Sequence, residues 1–89
     1  MSTHPWKIGA NYLIRTVTMI DTGRVVEVSD HEIVLEDAAW IADTGRWMQA
    51  INNAEFTEVE PFPDGVQVIV GRHAIIDAVI IPSLPRKQK

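Results

Sequence analysis

The sequence predicts a mainly β domain: five short antiparallel strands forming a small barrel or strongly bent sheet, with one short helix inserted between the third and fourth strands. Three observations carry this. Short runs rich in β-branched residues recur along the chain, turn residues punctuate them, and one segment around Trp47 to Ile51 switches from alternating to helical spacing. A chain of 89 residues buries only roughly 60% of the surface its unfolded form exposes, so it holds one core and one domain.

Taken in order, residues 1–10 are interrupted by Pro5 and Gly9, which leaves room for at most one helical turn, with Trp6 and Ile8 available to pin the arm. Asn11 to Ile20 reads as the first strand. Asp21-Thr22-Gly23 supplies turn chemistry, and Arg24 to Val28 follows as the second strand of a hairpin. Ser29-Asp30-His31 is a second tight turn before a third strand, Glu32 to Ile41, with a bend expected near Asp37. Asp43 or Thr44 is suited to cap a helix carrying Trp47, Met48, Ala50 and Ile51 and ended by Asn52-Asn53. An acidic connection holding Phe56 and Val59 leads to the turn Pro61-Phe62-Pro63-Asp64-Gly65. The last strands are Val66 to Val70 and Ala74 to Ile81, separated by Gly71-Arg72-His73. Pro82 and Pro85 close the domain at residue 85, and residues 86–89 read as a disordered basic tail.

Composition narrows the functional classes. There is no cysteine, which removes disulfides and the commonest zinc sites and leaves self-association as the favoured source of extra burial. The net charge of −4 is asymmetric: without Arg86, Lys87 and Lys89 the body has five basic against twelve acidic groups, or −7. Such a surface repels phosphate backbones, so DNA is not expected as a partner and RNA ranks below small ligands and proteins. No apolar run approaches the roughly 20 residues needed to span a bilayer. Met1 to Pro5 does not open a charged-then-apolar leader, so no membrane partner and a cytoplasmic location are expected.

Two stretches resemble the Sm and Sm-like proteins. Gly23 to Ala38, ending in Leu35-Glu36-Asp37-Ala38, is similar to their first motif, and Val68-Ile69-Val70-Gly71-Arg72-His73-Ala74-Ile75 is similar to the second, with Gly-Arg in place of Arg-Gly. The resemblance implies a small barrel whose subunits join through edge strands into a homo-oligomeric ring. In that family an Asn of the third strand and the Arg of the second motif hold uridine-rich RNA; the Asn position falls here on Glu32, which offers no matching donors, and the Arg position on Arg72. Ile14-Arg15-Thr16, with the Leu-Glu-Asp-Ala strand followed by Trp40, also resembles a group of small proteins of tailed phages and prophages, which implies a viral origin and, in an infected cell, the host cytoplasm.

The residues suggest two candidate ligand sites. His31, Arg72 and His73 lie in turns that a barrel of this order brings to one face; there Arg72 suits bidentate anion binding, and the alternative is a set of solvated turn residues. Trp40, Arg46 and Trp47 flank the expected helix start and suit a nucleotide, with a base on an indole and phosphate at Arg46; the alternative is that the indoles complete a core or an interface. No serine or threonine sits in a glycine elbow, no phosphate-cradling glycine loop occurs and no ligand pair has metal-site spacing, so neither catalysis, a metal nor a cofactor is expected. The expectation is a non-catalytic, oligomeric, phage-type protein that binds a small anion, such as a nucleotide signal of host defence, and sequesters it. An RNA-binding ring and a protein-interaction or virion module are the alternatives.

Overall fold

The computed structural model describes residues 4–89, so the expectation of no leader falls partly on residues outside those described. The elements are β1 (Asn11–Thr16), β2 (Ile20–Val28), β3 (Glu32–Asp43), α1 (Trp47–Asn53), β4 (Glu58–Pro61), β5 (Val68–Gly71), a 3-10 turn (Arg72–Ala74) and β6 (Ile75–Ile80). All strands belong to one antiparallel sheet with the order β4-β3-β2-β1-β6, and β5 pairs with the first half of β3.

The strand count is six rather than five. β4 occupies what reads in sequence as an acidic connection. Glu58-Val59-Glu60 alternates as a strand should, but it is too short to signal one by itself. It forms because β3 runs on to Asp43 and offers a second edge, where Ile41 faces Val59 and Trp40 faces Glu60. β3 thus serves two partners on one side: its first half pairs with β5 and its second half with β4. Between the halves lies the expected bend, a bulge opposite Thr22 to Arg24 in which Asp37 takes a left-handed φ of 51°.

The first hairpin turns four residues earlier than Asp21-Thr22-Gly23. Thr16 closes it: its N–H donates to the Met19 carbonyl at 2.8 Å, and its hydroxyl both donates to that carbonyl and accepts from the Met19 N–H, each at 2.9 Å. A threonine doing the work of a turn glycine is a local hydrogen-bonding solution that composition does not advertise. Asp21, Thr22 and Gly23 are instead strand residues of β2, paired with Ile14, Leu13 and Tyr12. Gly23 is there for close approach, since a Cβ would come within 2.8 Å of the Leu35 Cβ.

Adjacent residues feed opposite faces, as strand geometry requires. Tyr12, Ile14, Val25, Ile33, Leu35, Ala38 and Val70 form one core, which Trp6 and Phe62 join from the edges. Leu13, Ala39, Ile41, Ala50, Phe56, Val59 and Ile81 form the other, on the face that α1 covers. Burial on both sides explains unbroken apolar runs such as Tyr12-Leu13-Ile14. Trp6 meets Tyr12 edge to face at 5.0 Å and pins the N-terminal arm, whereas Ile8 stays exposed.

Helix α1 begins two or three residues later than the expected caps imply. Arg46 is its N-cap and supplies no side-chain hydrogen bond, while Asp43 accepts from the Gly45 N–H at 2.8 Å and shapes the preceding loop. The tail also departs from expectation, because residues 86–89 are tied down rather than disordered. Arg86 donates to the carbonyls of Ala38 and Phe62 and to Asp64, at 2.8, 3.0 and 2.7 Å. Lys89 exchanges two backbone hydrogen bonds with Val59, each 2.9 Å, and so extends the sheet at the free edge of β4. That edge exists only because β4 does. No helix among the described residues is long and apolar enough to cross a membrane.

Candidate functional site

The β2–β3 turn and the 3-10 turn come together, as the first candidate site requires. Pairing of β3 with β5 puts Glu32 opposite Gly71, and the Arg72 N–H donates to the His31 carbonyl at 2.8 Å. The His31 and His73 rings then stand 6.0 Å apart. Arg72 is half-buried and its Nη1 donates to the Ser29 carbonyl at 2.5 Å, which holds the guanidinium over the turn. Among the described residues no ion pair engages Arg72. Two exposed imidazoles and an anchored, unneutralised guanidinium make a small donor surface suited to an anion. Glu32, the neighbour of His31, is exposed on the same turn.

The second candidate set does not assemble. Trp40 shares a face with Asp21 and Ile14, which stand opposite it in sequence across β2 and β1. Trp47 packs against the core on the other face. The cation on Trp47 is Arg15, whose guanidinium carbon lies 4.8 Å from the ring centroid, and not Arg46. Arg15 is also bound bidentately by Asp77 through Nε, at 2.8 Å, and through Nη2. This hydrogen bonding holds the Asp77 carboxyl below the ordinary aspartate range. Arg46 instead faces a shallow cleft of about 380 Å³ with Thr44, Gln49, Phe56, Thr57 and Lys89. A second cleft, about 370 Å³, shares Phe56 and Lys89 and adds Pro85, Arg86 and Lys87.

Most of the arginines are neutralised within the fold. Arg15 pairs with Asp77, Arg24 with Glu36 and Asp37, and Arg86 with Asp64, leaving Arg46 and Arg72 without a carboxylate partner among the described residues. Arg24 pulls the Asp37 carboxyl below its usual range, chiefly through its hydrogen bond at 2.6 Å. Asp21 is the contrasting case: partial burial pushes its carboxyl up, and among the described residues it has no ion-pair partner. No group of three or more metal-binding side chains occurs among the described residues.

Sequence reading missed the Arg15–Asp77 clamp and the acidic flanks of Trp40. Both depend on strand register, for which the misplaced hairpin turn left no signal. No family model, curated protein or solved structure gives a match to the chain, so the case for function rests on the geometry alone.

Proposed function

We propose that this protein is a non-catalytic, homo-oligomeric Sm-like small barrel that binds a small anionic ligand at His31, Arg72 and His73. The observation that carries the reading is the position of this cluster at the 3-10 turn between two strand edges. Among the described residues, β5 pairs only with β3 and β6 only with β1, so each has an outer edge free. These strands expose Ile69 (64%), Ile76 (65%) and Ile80 (47%), an apolar display that an isolated soluble domain ordinarily covers. Pairing of β5 of one copy with β6 of the next would cover it and set the Arg72 cluster of each copy beside a subunit seam.

An RNA-binding ring is less well supported, because Arg15 and Arg24 are already committed to carboxylates and the body is strongly acidic. Sequestration of a nucleotide signal, the role that the phage resemblance suggests, would place the phosphates at Arg72; the indoles of Trp40 and Trp47 lie on opposite faces of the sheet and supply no joint base platform.

Native mass spectrometry combined with calorimetric titration of inorganic pyrophosphate and a nucleoside diphosphate tests the proposal. A defined oligomer whose affinity for these anions drops about tenfold or more in Arg72→Ala is expected, a loss typical of a charge-assisted contact. A monomer, or an affinity indifferent to Arg72, overturns it. Ile76→Lys separates the two parts of the reading, since it should dissolve the oligomer.

A further inference from the structure

Trp40 is the one tryptophan of the three that the fold leaves open, at 38% exposure. Its cross-strand neighbours are acidic on both sides: Asp21 faces it from β2 and Glu60 from β4. Directly opposed residues of an antiparallel sheet share a face, with Cβ atoms about 5 Å apart, so two carboxylates flank the indole. Glu60 is exposed and, among the described residues, accepts only from the Gln88 side-chain amide, at 3.2 Å. Asp21 is half-buried and, among the described residues, its side chain makes neither a hydrogen bond nor an ion pair; burial alone raises its carboxyl.

The same molecule shows what completes such an arrangement. Trp47 also has a carboxylate nearby, Asp77, and between them lies the Arg15 guanidinium, stacked on the indole at 4.8 Å and held bidentately by the acid. At Trp40 the indole and the acids are present, and no cation from the described residues is stacked on the ring.

We propose that the Trp40 face of the sheet is a docking surface for a partner protein, which inserts an arginine or lysine side chain over the indole between Asp21 and Glu60. Charge complementarity selects the occupant: an indole face and two carboxylates favour a cation and repel the anions proposed for Arg72. The shape indicates a protein-borne cation and not a small free one. Neither of the clefts above includes Trp40, Asp21 or Glu60. A free ammonium or guanidinium on so open a surface gains too little to offset its lost freedom, whereas one carried on a segment anchored by further contacts does not face that cost alone. The acidic body would draw such a basic segment in.

The test is an NMR titration of the full chain with a synthetic peptide of alternating glycine and arginine, and with its glycine–glutamate counterpart as control. The arginine peptide should shift the Trp40 indole N–H and the amides of Asp21 and Glu60 while leaving the Trp47 indole in place. Trp40→Leu should weaken binding about fivefold or more and Asp21→Asn by a smaller factor, as expected for a cation–π contact beside a carboxylate. Trp40→Phe should retain part of the affinity, and because Trp40 is exposed, each of its variants is expected to fold. Unchanged affinity in Trp40→Leu, or shifts spread evenly over acids such as Glu32, Glu55 and Glu58, overturns the proposal. Movement of the Trp40 signal on simple dilution without peptide also overturns it, by assigning the face to a second copy.

Discussion

Two tryptophans on opposite faces of one sheet have like surroundings and unlike fates. Trp47 is half-buried: α1 seats it against the second core, Arg15 stacks on it and Asp77 holds Arg15. Trp40 is more open, with Asp21 and Glu60 at its sides and no guanidinium from the described residues. The neighbouring aspartates record the difference, since Asp77 is pulled down by its hydrogen bond to Arg15 and Asp21 is pushed up by burial. A carboxylate near an indole stabilises this fold only where a cation completes the set. Where the cation is missing, a solvation cost remains that a partner could relieve.

The covered face should be the fragile one. Phe56 is 3% exposed and packs beneath α1, in contact with the core that holds Leu13, Ile41 and Val59. Phe56→Ala should cost about 3–5 kcal/mol, read by urea denaturation; a loss under ~1 kcal/mol would mean that the helix does not rely on this core.

The tryptophans themselves sharpen the contrast. Trp47→Ala should lower stability by about 2 kcal/mol, through lost packing and the lost platform for Arg15, and should move the Asp77 carboxyl resonances. Trp40→Ala should cost less than Trp47→Ala, because Trp40 is 38% exposed and carries no stacked cation from the described residues. Equal losses would erase the distinction between the two faces.

The smallest and most diagnostic effects concern the aspartates. Asp21 has a raised carboxyl, so the folded state holds its proton more tightly than the unfolded state does. Its contribution to stability is fully favourable below the ordinary aspartate value and is lost as pH rises through the raised one. Asp21→Asn should therefore stabilise the protein at neutral pH, with the gain vanishing in acid. Asp77 has the opposite sign: its contribution is present above the ordinary value and lost as pH falls through its lowered one. Asp77→Asn should destabilise slightly at neutral pH and match the parent in acid. Denaturation midpoints across the acidic range would read both, and like signs would refute the assignment of cations to the two faces.

The gap between expectation and fold has specific sources. The β-rich class, the third strand with its bend at Asp37, the inserted helix and the approach of His31 to Arg72 and His73 were legible, because each follows from local periodicity or from strand order. β4 was not, because a four-residue strand depends on an edge that only the full length of β3 supplies. The tail was not, because its order depends in turn on β4 and on carbonyls of Ala38 and Phe62. The grouping of Trp40 with Trp47 failed for a different reason. Nearness along the chain says nothing about which side of a sheet a residue faces once a bulge and a turn intervene.

By itself, then, the sequence determined what short-range chemistry controls: strand and helix type, most of the polar turns and the acidic balance. Tertiary structure decided which charges meet. Register set Arg15 against Asp77 and Arg24 against Glu36 and Asp37, and left Asp21 and Glu60 beside an open indole. The physical reason is that a one-residue slip reverses every side chain in a strand, while the composition that sequence reading relies on stays the same.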